Sequence, residues 1–274
     1  MSLYTEVRGS GPALVLLHGW GLNVRVWDDF VAALGDRFRI IAVDLPGHGR
    51  SPWLSERSSL AAQAAQVAET VAAIAGEYSI LGWSLGGQIA LQLAAGQRAT
   101  GATGMQRPGL TATLNRLVLI ATTPRFAAGP DWPHGSAPER LAAQAQGLET
   151  DYRRTVSDFL ELQVRGSAGG AEALEGLRAA LFAHGQQGLQ LAALARDLEL
   201  LCETDLRPLL ADIDLPALVI AGQYDRVTLP AASHALADML PNARYVEIRR
   251  AAHAPFLSHL PQLGALITDF LLPT

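Results

Sequence analysis

Residues 81–90 read LGWSLGGQIA and join a short apolar run, Tyr78–Leu81, to an Ala/Leu-rich segment with helical spacing. Within them Gly82-Trp83-Ser84-Leu85-Gly86 has the form Gly-x-Ser-x-Gly. A strand that ends just before the serine and a helix that starts just after it predict a sharp turn, in which flanking glycines relieve the crowding of a strained backbone. The turn sets Ser84 at a helix N-terminus, where free N–H groups and the macrodipole favour developing negative charge. A serine that merely caps a glycine-rich helix entry has the same local letters. The reading of Ser84 as a nucleophile therefore depends on what the rest of the chain supplies.

Outward from this turn, apolar runs recur at Ala13–Leu17, Phe38–Val43, Leu117–Ile120, Ala217–Ala221 and Arg244–Ile248. Helical spacing fills the intervals at about 25–34, 59–75, 85–96, 230–239 and 261–271. Strands alternating with helices predict an α/β fold: a mostly parallel sheet covered on both faces, reached by right-handed crossovers. Tyr4–Arg8, followed by Gly9-Ser10-Gly11-Pro12, reads as an edge hairpin. The alternation stops between about 125 and 203, a segment rich in Ala, Leu, Gln and Arg. Short helices inserted as a lid are expected there, with residues 1–124 and 204–274 forming the core. The Gly/Thr-rich residues 97–115 read as a long surface loop.

Composition narrows the function classes. The chain has 274 residues, 49% hydrophobic and 17% charged, enough for a large core with an insertion. A formal net charge of −5 gives no basic stripe for nucleic acid. No apolar stretch approaches the roughly 20 residues of a membrane span. The first residues, MSLYTEVRGSG, lack a basic-then-apolar signal pattern, so a cytoplasmic protein is expected. Cys202 is the single cysteine and excludes an intrachain disulfide.

A serine hydroxyl needs a base to take its proton. In an open α/β sheet with this turn the chain order is serine, acid, histidine. Of the seven histidines, His253 stands on a loop after the last strand. His259 is a nearby competitor but precedes a helix and reads as a capping or packing residue. His48 lies upstream of Ser84 in a turn-rich stretch and is assigned a structural role. The acid should orient and stabilise the imidazolium. Asp225 follows the strand Ala217–Ala221, whereas Asp205, Asp212 and Asp214 precede it. Two backbone N–H groups should face the developing oxyanion. Leu85 supplies one as the residue after the nucleophile. Trp20, in His18-Gly19-Trp20-Gly21 after Ala13–Leu17, supplies the other, and its indole and that of Trp83 are expected to line the acyl pocket.

With these residues assembled, the chain resembles the α/β-hydrolase superfamily over nearly its full length. Within it, LLHGWGLN (16–23), VDLPGHGRS (43–51), LGWSLGG (81–87), FLELQ (159–163), TDLR (204–207) and RRAAHAPFLSH (249–259) resemble the pimeloyl-[acyl-carrier protein] methyl ester esterases. The resemblance implies a serine carboxylesterase with Ser84, Asp225 and His253 as the triad and no metal or organic cofactor. It implies substrate contacts at Trp20, Ser84, Leu85, His253 and the five residues Phe159, Leu160, Glu161, Leu162 and Gln163. It implies an acyl-carrier protein bearing pimeloyl methyl ester as partner, met by lid arginines among Arg153, Arg154, Arg165 and Arg178, and a monomeric chain. Asp158, Glu161, Glu172 and Glu175 are interspersed among those arginines and depart from a uniformly basic lid. A less selective carboxylesterase, a carbon–carbon bond hydrolase and a non-catalytic receptor on the same scaffold share the triad. Relatives with an aspartate nucleophile are disfavoured by serine at 84.

Overall fold

The computed structural model describes residues 2–102, 112–182 and 190–272. Seven strands form one sheet: β1 (Thr5–Arg8), β2 (Ala13–Leu17), β3 (Arg39–Val43), β4 (Glu77–Trp83), β5 (Thr113–Ile120), β6 (Ala217–Gly222) and β7 (Ala243–Ile248). Their spatial order is β1-β3-β2-β4-β5-β6-β7, and every pairing except β1 with β3 is parallel. Central strands are buried along most of their length, as the continuous apolar runs Ala13–Leu17 and Ala217–Ala221 require when helices cover both faces. The edge strand β7 leaves Arg244 and Glu247 exposed and Ala243, Tyr245 and Val246 half-buried.

Helices α1 (Asp28–Leu34), α2 (Leu60–Ala72), α3 (Leu85–Ala102), α9 (Pro230–Met239) and α11 (Leu260–Leu271) connect or flank these strands. Four more, α4 (Pro138–Thr150), α5 (Tyr152–Val164), α6 (Gly170–Phe182) and α7 (Leu191–Glu203), lie in sequence between β5 and β6. Short helices α8 (Arg207–Leu210) and α10 (Pro255–Ser258) complete the set. The two ends of the insertion meet: the Leu206 N–H donates to the Pro124 carbonyl at 2.9 Å, and Arg125 pairs as an isolated bridge with Asp205. Arg207 clamps this junction, donating to Asp205 and Asp131, each at 2.6 Å, with its guanidinium over the Trp132 ring. That is the physical content of the TDLR stretch.

Two expectations from sequence need correction. Tyr4–Arg8 does form an edge strand, but not a hairpin with its chain neighbour, because β3 lies between β1 and β2. The reason is at Gly9, which has φ of +77° and sits where a Cβ would come within 2.0 Å of the Gly35 carbonyl oxygen. The chain passes beneath the turn that feeds β3 instead of folding straight back. Residues 97–115 are not one loop: α3 runs through Ala102 and β5 begins at Thr113, while 103–111 lie outside the described residues. A glycine costs a helix only about 1 kcal/mol, so Gly96 does not stop it.

The strand order positions the site. The chain crosses from β2 to β3 on one side, then returns to β4 on the other flank of β2. Helices following β2 and β4 therefore leave in opposite directions, and a crevice opens at the carboxyl ends of these two strands. The oxyanion-loop candidate follows β2 and Ser84 follows β4.

Candidate active site

Strand β4 runs directly into Ser84, and α3 begins at the next residue. Ser84 has φ of +55°, a left-handed value that a non-glycine residue holds only when its surroundings fix it. Here its N–H donates to the Ile120 carbonyl at 3.0 Å, and its carbonyl accepts from Gly87 and Gln88 at 3.0 and 3.2 Å. Ala121 and Arg250, with φ of +48° and +59°, are the other non-glycine residues of this kind among the described residues. All three follow the carboxyl ends of strands β4, β5 and β7. Strain is thus concentrated at the edge of the sheet where the candidate chemistry lies.

Gly86 lets the start of α3 press against the end of β2. A Cβ there would lie 2.3 Å from the Leu17 carbonyl oxygen and 2.6 Å from that of His18. Gly86→Ala is expected to destabilise the fold by about 2–3 kcal/mol, the range for overpacking against atoms that cannot yield. A thermal melt checks this, and an unchanged midpoint contradicts it.

Asp225 and His253 come together although 28 residues separate them in the chain. His253 Nδ1 lies 2.8 Å from Asp225 Oδ2, and both side chains are buried. Asp225 Oδ1 accepts from the backbone N–H groups of Val227 and Thr228 at 2.8 and 2.9 Å. The acceptor-only carboxylate makes Nδ1 the protonated nitrogen and leaves Nε2 as a base. His253 Nε2 is buried with no hydrogen-bond partner among the described residues, and Ser84 Oγ has none either. Catalytic serine–histidine contacts are commonly loose before substrate arrives.

The loop that carries His253 is hung on the turn that carries Ser84. The Trp83 indole N–H donates to the His253 carbonyl at 2.9 Å, and the two rings lie 5.5 Å apart. The His253 N–H donates to the Gln163 carbonyl, in α5, at 2.8 Å. Trp83 is buried against Trp27 and Phe256 as well. Its indole therefore positions the histidine, where sequence reading had set it against the acyl group.

The oxyanion candidates are also adjacent. A Cβ on Gly19 would sit 3.4 Å from Ser84 Cβ, so the loop after β2 lies against the serine. The backbone N–H groups of Trp20 and Leu85 have no acceptor among the described residues, whereas that of Gly21 donates to His48 Nε2 at 3.1 Å. His48 is thus a strut under the loop. His18 does the same for the neighbouring loop, accepting the Leu45 N–H at Nε2 at 3.0 Å. Complete burial pushes His18 down to about 4 and His48 down to about 3, so both stay neutral acceptors at ordinary pH. His259, the alternative base, is bonded through Nδ1 to Ser258 Oγ at 2.8 Å, at the start of α11.

The inserted helices close on this loop and on α2 through buried polar contacts. Trp20 Nε1 donates to the Leu194 carbonyl at 2.9 Å, Asn23 Nδ2 to the Ala180 carbonyl at 2.6 Å, and Gln63 Nε2 to Asp197 Oδ1 at 2.6 Å. Burial pushes the Asp197 carboxyl up to about 7. Phe159 meets Trp20 edge to face with ring centroids 5.1 Å apart, a contact worth about 1 kcal/mol. The rest of the FLELQ stretch divides. Leu160 is core, Leu162 is half-buried, and Gln163 is buried beside His253. Glu161 is exposed and pairs with Arg178 at 3.3 Å, away from Trp20. No signal in the sequence distinguished Asn23, Gln63 or Asp197, because their partners are far along the chain.

A model of the alpha/beta hydrolase family matches residues 14–263. The chain belongs to that family. Among curated family members, a pimeloyl-[acyl-carrier protein] methyl ester esterase from Aeromonas hydrophila is 40% identical over 272 residues, covering 99% of this chain and 100% of the relative. One of the same name from Nitrosomonas europaea is 39% identical over 258 residues, with 94% of each covered. Among solved structures, an esterase from Exiguobacterium antarcticum superposes with a TM-score of 0.82 at 20% identity, covering 98% of this chain and 95% of its own. A hydrolase from Pseudomonas aeruginosa superposes with a TM-score of 0.76 at 28% identity, covering 98% and 93%. The family places this chain among hydrolases whose fold carries the observed strand–turn–helix at Ser84. Among the described residues no cluster of His, Cys, Asp or Glu has the arrangement of a metal site, and no helix is long and apolar enough to cross a membrane.

Proposed function

We propose that this chain is a serine carboxylesterase that hydrolyses the methyl ester of pimeloyl-acyl-carrier protein, releasing methanol, in biotin biosynthesis. What supports the substrate most is the full-length similarity, near 40% identity, to relatives of that name. Ser84 Oγ attacks the ester carbonyl while His253 Nε2 takes its proton. The N–H groups of Trp20 and Leu85 receive the oxyanion, and Asp225 stabilises the imidazolium. Collapse expels methoxide, which takes the proton from His253. Water, deprotonated by the same histidine, then cleaves the acyl–Ser84 ester and frees the carboxylate.

In this reading residues 125–203 are the lid, the core being 1–124 and 204–274. Trp20 and Phe159 form one wall of the acyl pocket. Of the four candidate lid arginines, Arg153 and Arg165 have no carboxylate partner among the described residues; Arg154 pairs with Asp158 at 3.7 Å and Arg178 with both Glu161 and Glu175 at 3.3 Å. Cytoplasmic placement and a monomeric state belong to the same reading. The test compares kcat/KM on the carrier-bound pimeloyl methyl ester with that on free methyl esters of similar length. A clear preference for the carrier-bound substrate is expected. Equal efficiency on both makes the chain a broad-specificity esterase instead.

A further inference from the structure

We propose that the carrier protein, which the resemblance to the pimeloyl-[acyl-carrier protein] methyl ester esterases implies is acidic, docks on a basic rim formed by the loops that carry Asp225 and His253, not on the outer face of the inserted helices. This rests on the carrier-bound substrate proposed above. Three stretches converge to build the rim. The segment 165–168 follows α5, the segment 223–226 follows β6, and residues 249 and 250 follow β7. Their contact is direct: the Arg250 carbonyl accepts the Ala168 N–H at 2.9 Å, and the Arg250 N–H donates to Gln223 Oε1 at 3.1 Å. A Cβ on Gly166 would meet the Tyr224 ring at 3.8 Å.

Arg165, Arg226, Arg249 and Arg250 are all exposed on these stretches, and none has a carboxylate partner among the described residues. Arg140 of α4 joins them, donating to the Arg226 carbonyl at 3.2 Å. The single carboxylate in 165–168, 222–228 and 249–253 is Asp225. It is buried and occupied by His253, Val227 and Thr228. Tyr224, 42% exposed, places an apolar ring among the guanidinium groups. Exposed aromatic and arginine side chains are the types enriched in protein interfaces.

The outer lid has the opposite character. Arg154 and Arg178 already face Asp158, Glu161 and Glu175 on their own helices or the next one. A partner rich in carboxylates gains little from Arg154 and Arg178, which already face carboxylates of their own chain, and leaves Arg153 alone there against the five arginines of the rim. On a chain of net charge −5, an uncompensated basic rim next to the base is where such a partner is attracted and oriented. It also brings the carrier's acyl arm to the loops that hold the catalytic candidates.

The experiment measures kcat/KM on carrier-bound pimeloyl methyl ester and on a free methyl ester. The variants are Arg226→Glu/Arg249→Glu/Arg250→Glu, Arg153→Glu/Arg154→Glu/Arg178→Glu and, at the opposite end of the sheet, Arg37→Glu. The rim variant is expected to lose about tenfold or more on the carrier-bound ester, through KM, beyond any loss on the free ester. The Arg37 variant should match the wild type on both. Wild-type kcat/KM on the carrier-bound ester should fall with added salt while the free-ester value holds. A carrier-bound rate unaffected by the rim charges, or lowered more by the outer-lid variant, overturns this docking site while leaving the substrate intact. A wild type that does not prefer the carrier-bound ester overturns both.

Discussion

Ser84→Ala is expected to lower ester turnover by about four to six orders of magnitude, since removing one member of a triad removes the work of all three. The fold should survive, because Ser84 Oγ holds no hydrogen bond among the described residues and alanine tolerates the left-handed turn as well as serine does. His253→Ala should cost about as much, and the double variant no more than either single one. A fluorophosphonate probe reads the same point covalently. Wild type should be labelled and Ser84→Ala should not. Equal labelling of the two would assign the nucleophile elsewhere.

Asp225→Asn is expected to lower kcat by about 10⁴-fold with KM little changed. The physical reason is tautomeric. Asparagine can keep Oδ1 as acceptor for the Val227 and Thr228 N–H groups, so the loop remains in place. Its amide then presents N–H to His253 Nδ1, where the carboxylate had presented a lone pair 2.8 Å away. The imidazole must put its proton on Nε2 and can no longer accept one from Ser84. Melting temperature should stay close to wild type, which separates this loss from unfolding. A rate within tenfold of wild type would show that another group orients the histidine.

Much of the site was legible because it rests on local punctuation. The glycines around Ser84 and the strand before it specify a turn that few other arrangements need. Asp225 and His253 follow strands and sit in the order that the fold imposes. Less visible were the side chains whose roles depend on a distant backbone atom. Trp83 looked like a pocket wall, yet its N–H is aimed at a carbonyl 170 residues away. His48 has the structural role assigned to it, but the partner it holds, the Gly21 N–H beside the free one of Trp20, is 27 residues away and is not named by the sequence. Glu161 belongs to the FLELQ stretch, but helical geometry turns it outward to Arg178.

By itself the sequence determined the class of fold, the parallel character of the sheet, the run of helices between β5 and β6, and the candidates for nucleophile, acid and base. These follow from periodicity, turn chemistry and chain order, which are properties of short segments. Only the tertiary structure decided that β3 separates β1 from β2, that α3 continues past residue 96, and which arginines of the inserted helices already face a carboxylate. Those outcomes turn on contacts between segments far apart in the chain. A glycine's missing Cβ, a buried indole N–H or an arginine's partner has its meaning set by what packs against it, and the linear chain does not specify that neighbour.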